Sequence, residues 1–133
     1  MHSAERMNAI INDVAAYPEF LPWCSKTVVL EQTQEFMIAS IEVRKGAVKQ
    51  TFTTRNDIST EGRVLMGLVD GPFTHLQGVW DLKHLKDDAC KISLTLDFEL
   101  KRNLTKVAFG AVFNQAANSM VDAFCKRATQ VYG

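Results

Sequence analysis

The chain has 133 residues, 47% of them apolar and 23% charged. That is one domain of ordinary globular composition, large enough to bury roughly two thirds of its unfolded surface. Fifteen basic and fifteen acidic side chains cancel, which excludes a global field drawing the protein onto nucleic acid or an anionic membrane and leaves only local patches.

Ser3 suits a helix N-cap, and Glu5 sits in the first turn, where the helix dipole favours negative charge. Met7, Ile10, Ile11 and Val14 then recur at helical spacing. Pro18 is expected to end or bend this helix, and Glu19 to Cys24 to be irregular. The stretch DVAAYPEFLPWC, Asp13 to Cys24, holds Tyr17, Phe20 and Trp23 together with two of the chain's three prolines.

From Lys26 the apolar period changes to two. Strands are predicted over Thr27 to Gln32, Glu35 to Lys45, Val48 to Ile58, Arg63 to Val69 and Leu76 to Leu85. Met37, Ala39, Ile41 and Val43 share one side; Leu76, Gly78, Trp80 and Leu82 share another. Glu61-Gly62, Asp70 to Phe73 (DGPF) and Asp87-Asp88 read as turns. Cys90 to Lys101 alternates most cleanly of all, implying one wet and one dry face. Leu104 to Tyr132 contains no proline, and Phe109, Phe113, Ala117, Met120, Phe124, Ala128 and Val131 form one helical stripe.

The predicted order is helix, about six antiparallel strands with short turns, then a long helix. Twisted antiparallel neighbours curve into one sheet, and only the last helix is big enough to cover its dry face. No linker or repeat marks a second domain, so residues 1–133 are taken as one unit. Cys24, Cys90 and Cys125 are odd in number and form no CxxC, as expected of reduced thiols in a cytosolic protein without a zinc site. MHSAERMNAI lacks signal-peptide character, and no apolar window reaches about 18 residues. A cytoplasmic location follows as the expectation, with the inner-membrane periphery as a variant of it.

The segments AYPEFLPWC, FTTRNDI, LVDGPFTHLQGVW and FGAVFNQAANSMVDAFCKRA, in uninterrupted order from about Ser3 to Tyr132, resemble the bacterial RatA and coenzyme Q-binding protein family. This is a branch of the START-like, polyketide cyclase/dehydrase superfamily. The resemblance implies an α+β helix-grip fold (START/Bet v 1-like), with a cavity between the sheet and the long helix. In respiratory members that cavity binds ubiquinone. Other bacterial members are ribosome association toxins, which block joining of the ribosomal subunits. The family usually carries a further strand before the first helix, whereas here only Met1 and His2 precede Ser3. That strand would pair with Cys90 to Lys101. Without it a long apolar strand keeps unpaired backbone groups, and dimerisation through that edge or lowered stability is expected.

The expected site is a hollow closed by two lips, the Tyr17 to Trp23 loop and Gly71-Pro72-Phe73. Its lining is taken as Tyr17, Phe20, Trp23, Phe52, Met66, Leu68, Phe73, Trp80, Phe98, Phe109, Phe113, Met120 and Phe124. Phenyl rings and thioethers suit a quinone, and burying ~400 Å² of isoprenoid is worth about 10 kcal/mol before ordering costs. The first expectation is therefore a hydrophobic-ligand binder, with ubiquinone the ligand, no cofactor required for activity and respiration the process served. The alternative is the ribosome-directed toxin. A cyclase-like enzyme comes third.

Acid–base candidates for that third reading are Arg55, Asp57, Asp70, His75, His84 and Asp97. Of these, Asp97 alternates outward, while Arg55 and Asp57 share a strand face and are expected to pair. His2, His75 and His84 lack metal-ligand spacing, and no GxSxG, HExxH or glycine-rich phosphate loop occurs. Neither catalysis nor a metal is expected. For the ribosome, the basic groups are Arg44, Lys45 and Lys49 around Gly46, then Lys101, Arg102 and Lys106, then Lys126 with Arg127. Lys45 and Arg102 are the named contacts. The expected partners are a hydrophobic small molecule, a ribosomal subunit, a membrane surface met transiently, and a second copy through the exposed edge.

Overall fold

The computed structural model describes residues 2–86, 89–101 and 104–133, with the side chains of 104–107 excepted. The expected Asp87-Asp88 turn, Arg102 and the Lys106 side chain lie outside the described residues.

Helix α1 (Ala4–Asn12) starts as its cap predicts: Ser3 is extended and its hydroxyl accepts the Arg6 N–H at 3.2 Å. Met7, Ile10 and Ile11 are buried. The helix ends earlier than Pro18. Asp13 leaves the helical region (φ −86°, ψ 67°) while its N–H still bonds Ala9 and Ile10. The chain then tightens into a 3₁₀-helix, Val14–Glu19, with Pro18 inside it. Phe20 to Trp23 are turn and irregular backbone, as expected, and the 3₁₀-helix takes in only Glu19 of that expected segment. The 3₁₀-helix is pinned by the Tyr17 hydroxyl, which donates to the Ile11 carbonyl.

Six strands follow: β1 (Cys24–Gln32), β2 (Phe36–Lys45), β3 (Val48–Asp57), β4 (Arg63–Asp70), β5 (Phe73–Lys86) and β6 (Ala89–Leu100). They form one sheet in chain order, every neighbouring pair antiparallel. β1 starts three residues before the predicted Thr27, and β5 three before Leu76. The DGPF turn is therefore tighter than expected, with only Gly71 and Pro72 between β4 and β5. Gly71 has φ +146°, and a Cβ there would lie 2.6 Å from Phe52 Cβ, so the close approach needs glycine.

Helix α2 (Leu104–Tyr132) packs on β3, β6 and α1, giving the α+β helix-grip arrangement. Phe109, Phe113, Phe124 and Ala128 are buried, and so is Ala116, which the stripe had not included. Val131 does not belong to the buried stripe: it is 50% exposed, while its neighbour Tyr132 meets His2 and Arg6. The core falls into two clusters. One joins α1 and the 3₁₀-helix to Trp80, Met37 and Phe124; the other gathers Val43, Phe52, Phe73, Leu76, Phe109 and Phe113. β6 alternates as predicted, but its dry face is only half-buried. Among the described residues β6 pairs with β5 alone.

Candidate functional site

Between the two clusters lies an apolar hollow of about 60 Å³. β2 supplies Ala39 and Ile41, β3 Phe52, Thr54 and Asn56, and β4 Met66. Leu76 and Trp80 come from β5, Leu94 and Leu96 from β6, and Phe113, Ala116, Ala117 and Met120 from α2. Val14, Tyr17 and Trp23 close one end. Among the described residues the lining's polar side-chain groups, besides the Tyr17 hydroxyl and the Trp23 indole, are Thr54, whose hydroxyl donates to Asn56 Oδ1 at 3.0 Å, and Asn56 itself. The Trp23 indole Nε1 is buried without a hydrogen-bond partner, which costs about 1–3 kcal/mol.

Trp23 and Ala116 also line an outer groove of about 270 Å³, with Pro22, Lys45, Val112, Gln115 and Ser119. The indole is therefore a partition between the hollow and the surface. Ligand pockets usually measure ~300–1,000 Å³. The hollow in this geometry has room for a few waters, and admitting a flat ring would require Trp23 to swing aside. A separate, open cleft of about 720 Å³ runs between the start of α1, the β3–β4 turn and β5, with Glu5, Arg6, Glu61 and His84 on its walls.

Of the expected lining, Tyr17, Trp23, Phe52, Met66, Trp80, Phe113 and Met120 face the hollow. Phe20, Leu68, Phe73, Phe98, Phe109 and Phe124 do not. Phe20 packs on Phe124 at 5.4 Å under the Arg127 guanidinium. Phe73 is the hub of a solid ring cluster, with Phe52, Phe98, Phe109 and Phe113 at centroid distances of 5.0–6.1 Å. Leu68 packs on the same cluster. This corrects the picture of two lips. Tyr17 and Trp23 do wall the hollow, whereas at the Gly71-Pro72-Phe73 end Phe73 packs into the aromatic cluster and does not face it. Thr54 and Asn56 were missed, although period two places them on the face of Phe52. Ala117 belongs to the predicted helical stripe, whereas Ala116 was legible only as a small residue in mid-helix.

None of the acid–base candidates lines the hollow. Arg55 and Asp57 do not form the expected pair. The Arg55 guanidinium stacks over Phe36 at 4.3 Å. Asp57 accepts from the Ser59 hydroxyl (2.6 Å) and N–H (2.9 Å), and these bonds hold its carboxyl below the usual range. Asp70 caps the Gly71 N–H, and His75 Nε2 meets Asp97 Oδ2 at 3.0 Å on the wet face. Among the described residues no cluster of His, Cys, Asp and Glu could hold a metal ion, and no helix is long and apolar enough to cross a membrane.

The basic groups differ in how they are neutralised. Lys126 pairs with Asp122 (3.1 Å), and Arg127 with Glu19 (3.5 Å). At the β2–β3 turn Arg44, Lys45 and Lys49 are all exposed, and Arg44 lies directly across from Lys49 in the register. Like charges in that position repel. Lys45 Nζ donates to the neutral Gln115 at 2.7 Å. Among the described residues no carboxylate forms an ion pair with these three cations.

The sequence profile of the family described as polyketide cyclase / dehydrase and lipid transport matches residues 1–125. The chain belongs to this family. Within it, the chain is 49% identical over 132 residues to the ribosome association toxin RatA of Pseudomonas aeruginosa, covering 99% of this chain and 92% of that protein. It is 47% identical to the persistence and stress-resistance toxin PasT of Escherichia coli, covering 98% and 83%. A mitochondrial coenzyme Q-binding protein homolog of Xenopus laevis is more distant, at 30% identity over 98% of this chain and 55% of that protein. A Zhui aromatase/cyclase of a Streptomyces species superposes with a TM-score of 0.84 at 19% identity, covering 97% and 88%. At that identity the likeness shows the START-like fold and nothing about chemistry.

Proposed function

We propose that this chain associates with the ribosome, as its RatA-named relatives do by name, and that the β2–β3 hairpin makes part of the contact. The observation that carries the reading is the trio Arg44, Lys45 and Lys49: exposed, mutually repelling and, among the described residues, without an acidic partner. Such a tip is stabilised by phosphate oxygens, which dominate affinity for nucleic acid. The zero net charge of the whole chain makes the attraction local rather than general.

The test is co-sedimentation with separated ribosomal subunits across a salt series, beside gradient profiles of subunit joining. Three phosphate contacts give a loss of about 10- to 50-fold in affinity between roughly 50 and 200 mM salt. Lys45→Glu should weaken binding further and restore joining. Salt-independent binding, or binding unchanged in Lys45→Glu, would remove the hairpin from the contact. No sedimentation with either subunit would sink the ribosome reading itself.

A second reading, binding of a quinone or other hydrophobic molecule, is favoured by two features: among the described residues no charged side chain lines the hollow, and its partition, Trp23, has no hydrogen bond to its indole. Solvent extraction of the purified protein followed by mass spectrometry tests it, together with uptake of added quinone. An extract without quinone and no uptake would count decisively against it.

A further inference from the structure

The basic hairpin and the outer groove beside α2 are tied into one unit. Only Gly46 and Ala47 separate β2 from β3, as short a connection as hairpins commonly use. The Arg44 N–H donates to the Trp23 carbonyl at 2.8 Å, and Lys45 Nζ donates to Gln115 of α2 at 2.7 Å. Successive residues of a strand point to opposite faces. Lys45 therefore stands on the α2 side of the sheet, at the groove, while Arg44 and its cross-strand neighbour Lys49 stand on the other side of the tip.

The groove measures about 270 Å³, just below the ~300–1,000 Å³ of ordinary ligand pockets, so it suits one ring system and not a long chain. Its walls are Pro22, Val112 and Ala116, with the half-buried indole of Trp23 among them. The indole Nε1 is buried, so what Trp23 shows to the groove is ring carbon. Gln115 and Ser119, both exposed, stand beside it. Among the described residues the three cations have no carboxylate partner. An aromatic face in a slot, an amide next to it and unneutralised cations at its mouth together match a splayed-out base. The ring stacks, the amide meets the base edge and the cations meet the phosphates. An anionic lipid would answer the cations but gives Trp23 no ring to stack.

We infer that the groove between Trp23 and α2 takes one unpaired base of a single-stranded RNA segment, whose flanking phosphates cross the hairpin tip over Lys45, Arg44 and Lys49. The inference rests on the ribosome reading for the kind of partner.

Two measurements on the full chain test it: titration with a short single-stranded RNA of mixed sequence, followed by tryptophan fluorescence, and co-sedimentation with ribosomal subunits. Trp80 is excluded from solvent, so a change in emission reports Trp23. The single strand should quench the emission, whereas the same sequence as a duplex, its bases already stacked, should not. Trp23→Ala should weaken binding of the single strand about tenfold, and Trp23→Phe, which keeps a ring, far less. Because Trp23→Ala also disturbs the hollow, the exposed Gln115 supplies a second variant. Gln115→Glu hands Lys45 an acidic partner and should weaken binding about tenfold, whereas Gln115→Lys should tighten it. Sedimentation with a subunit but no quench by RNA overturns the slot and leaves the ribosome reading standing. Quench without sedimentation keeps the slot and removes the ribosome as the source of the RNA. Absence of both removes both. Equal quench by the duplex, binding unchanged in Gln115→Glu, or a quench by anionic phospholipid vesicles that RNA does not displace would each overturn the proposal.

Discussion

Trp80 lies nearly flat on Phe124, ring centroids 4.9 Å apart at 24°, and both side chains are essentially excluded from solvent. One contact thus bolts β5 to α2. Tyr17 and Phe20 approach the same phenyl ring at 5.3 and 5.4 Å, so it also anchors the 3₁₀-helix. Phe124→Ala removes the centre of this assembly and should cost about 3–5 kcal/mol, lowering Tm by about 10–20 °C. Val131→Ala, on the exposed last turn, should stay within about 0.5 kcal/mol. Thermal melts of the two variants check the contrast. Equal effects would mean that the helix is not held where the structure places it.

Phe124 also shows what the sequence could and could not reveal. Its place in a helical stripe was legible because apolar residues spaced by three and four can face only one side. The β6 alternation and the order of the strands were legible for the same kind of reason. What stands opposite a stripe is not periodic. Phe109 and Phe124 share the stripe of Phe113 and Met120, yet the first two meet solid rings and the second two meet the hollow. A void is a small difference between large volumes, and it depends on where small residues such as Ala116, Ala117 and Gly78 fall. The 3₁₀-helix escaped notice because Pro18 reads as a breaker, whereas a tight helix without the α-helical bond pattern accommodates it.

Two glycines of the β5 region, Gly71 and Gly78, should respond to alanine by very different amounts. At Gly71 a Cβ meets Phe52 Cβ and lies 3.1 Å from its Cα, at a positive φ. Backbone cannot yield, so Gly71→Ala should lose about 2–4 kcal/mol. At Gly78 the atoms in the way are the tips of Met66 and Leu96, and both side chains border the hollow. They can turn into it, so Gly78→Ala should cost less than about 1 kcal/mol and shrink the void. Chemical denaturation of both variants decides. A Gly78→Ala loss as large as that of Gly71→Ala would show that the hollow gives no relief.

Trp23 separates hollow from groove, so shortening it should connect them. Trp23→Ala would leave a cavity open to benzene-sized apolar molecules, as dry apolar cavities are. Such a probe at about 100 times its Kd should then raise stability by about 2.7 kcal/mol in the variant and hardly at all in the parent. Trp23→Phe keeps the partition and removes the unpaired indole N–H, so it should fold at least as stably as the parent. Probe-dependent melting curves of the three proteins are the measurement. Equal probe binding by the parent and Trp23→Ala would mean that the indole is no barrier.

Alkaline pH should destabilise the fold in a defined window. Burial pushes the Cys24 thiol up from 9.0 to about 11, with the Glu42 carboxylate adding to the shift. Burial likewise raises the Tyr17 phenol well above its ordinary 10.0, helped by Cys24 and Asp13. Both groups are neutral when protonated, and both hold their protons more tightly in the folded chain. Above pH 9.0 the unfolded chain releases the Cys24 proton first, so it binds fewer protons than the native state and stability falls as pH rises. The Cys24 contribution is complete below 9.0 and spent by about 11, while that of Tyr17 begins to fall near 10.0. For Cys24 the loss is about 1–2 kcal/mol. Urea midpoints measured from mildly to strongly alkaline pH should decline in the parent. Cys24→Ala should decline less steeply over the lower part of the window, whatever its stability at neutral pH. A slope identical to the parent's would mean that the thiol titrates in the native chain as it does in the unfolded one.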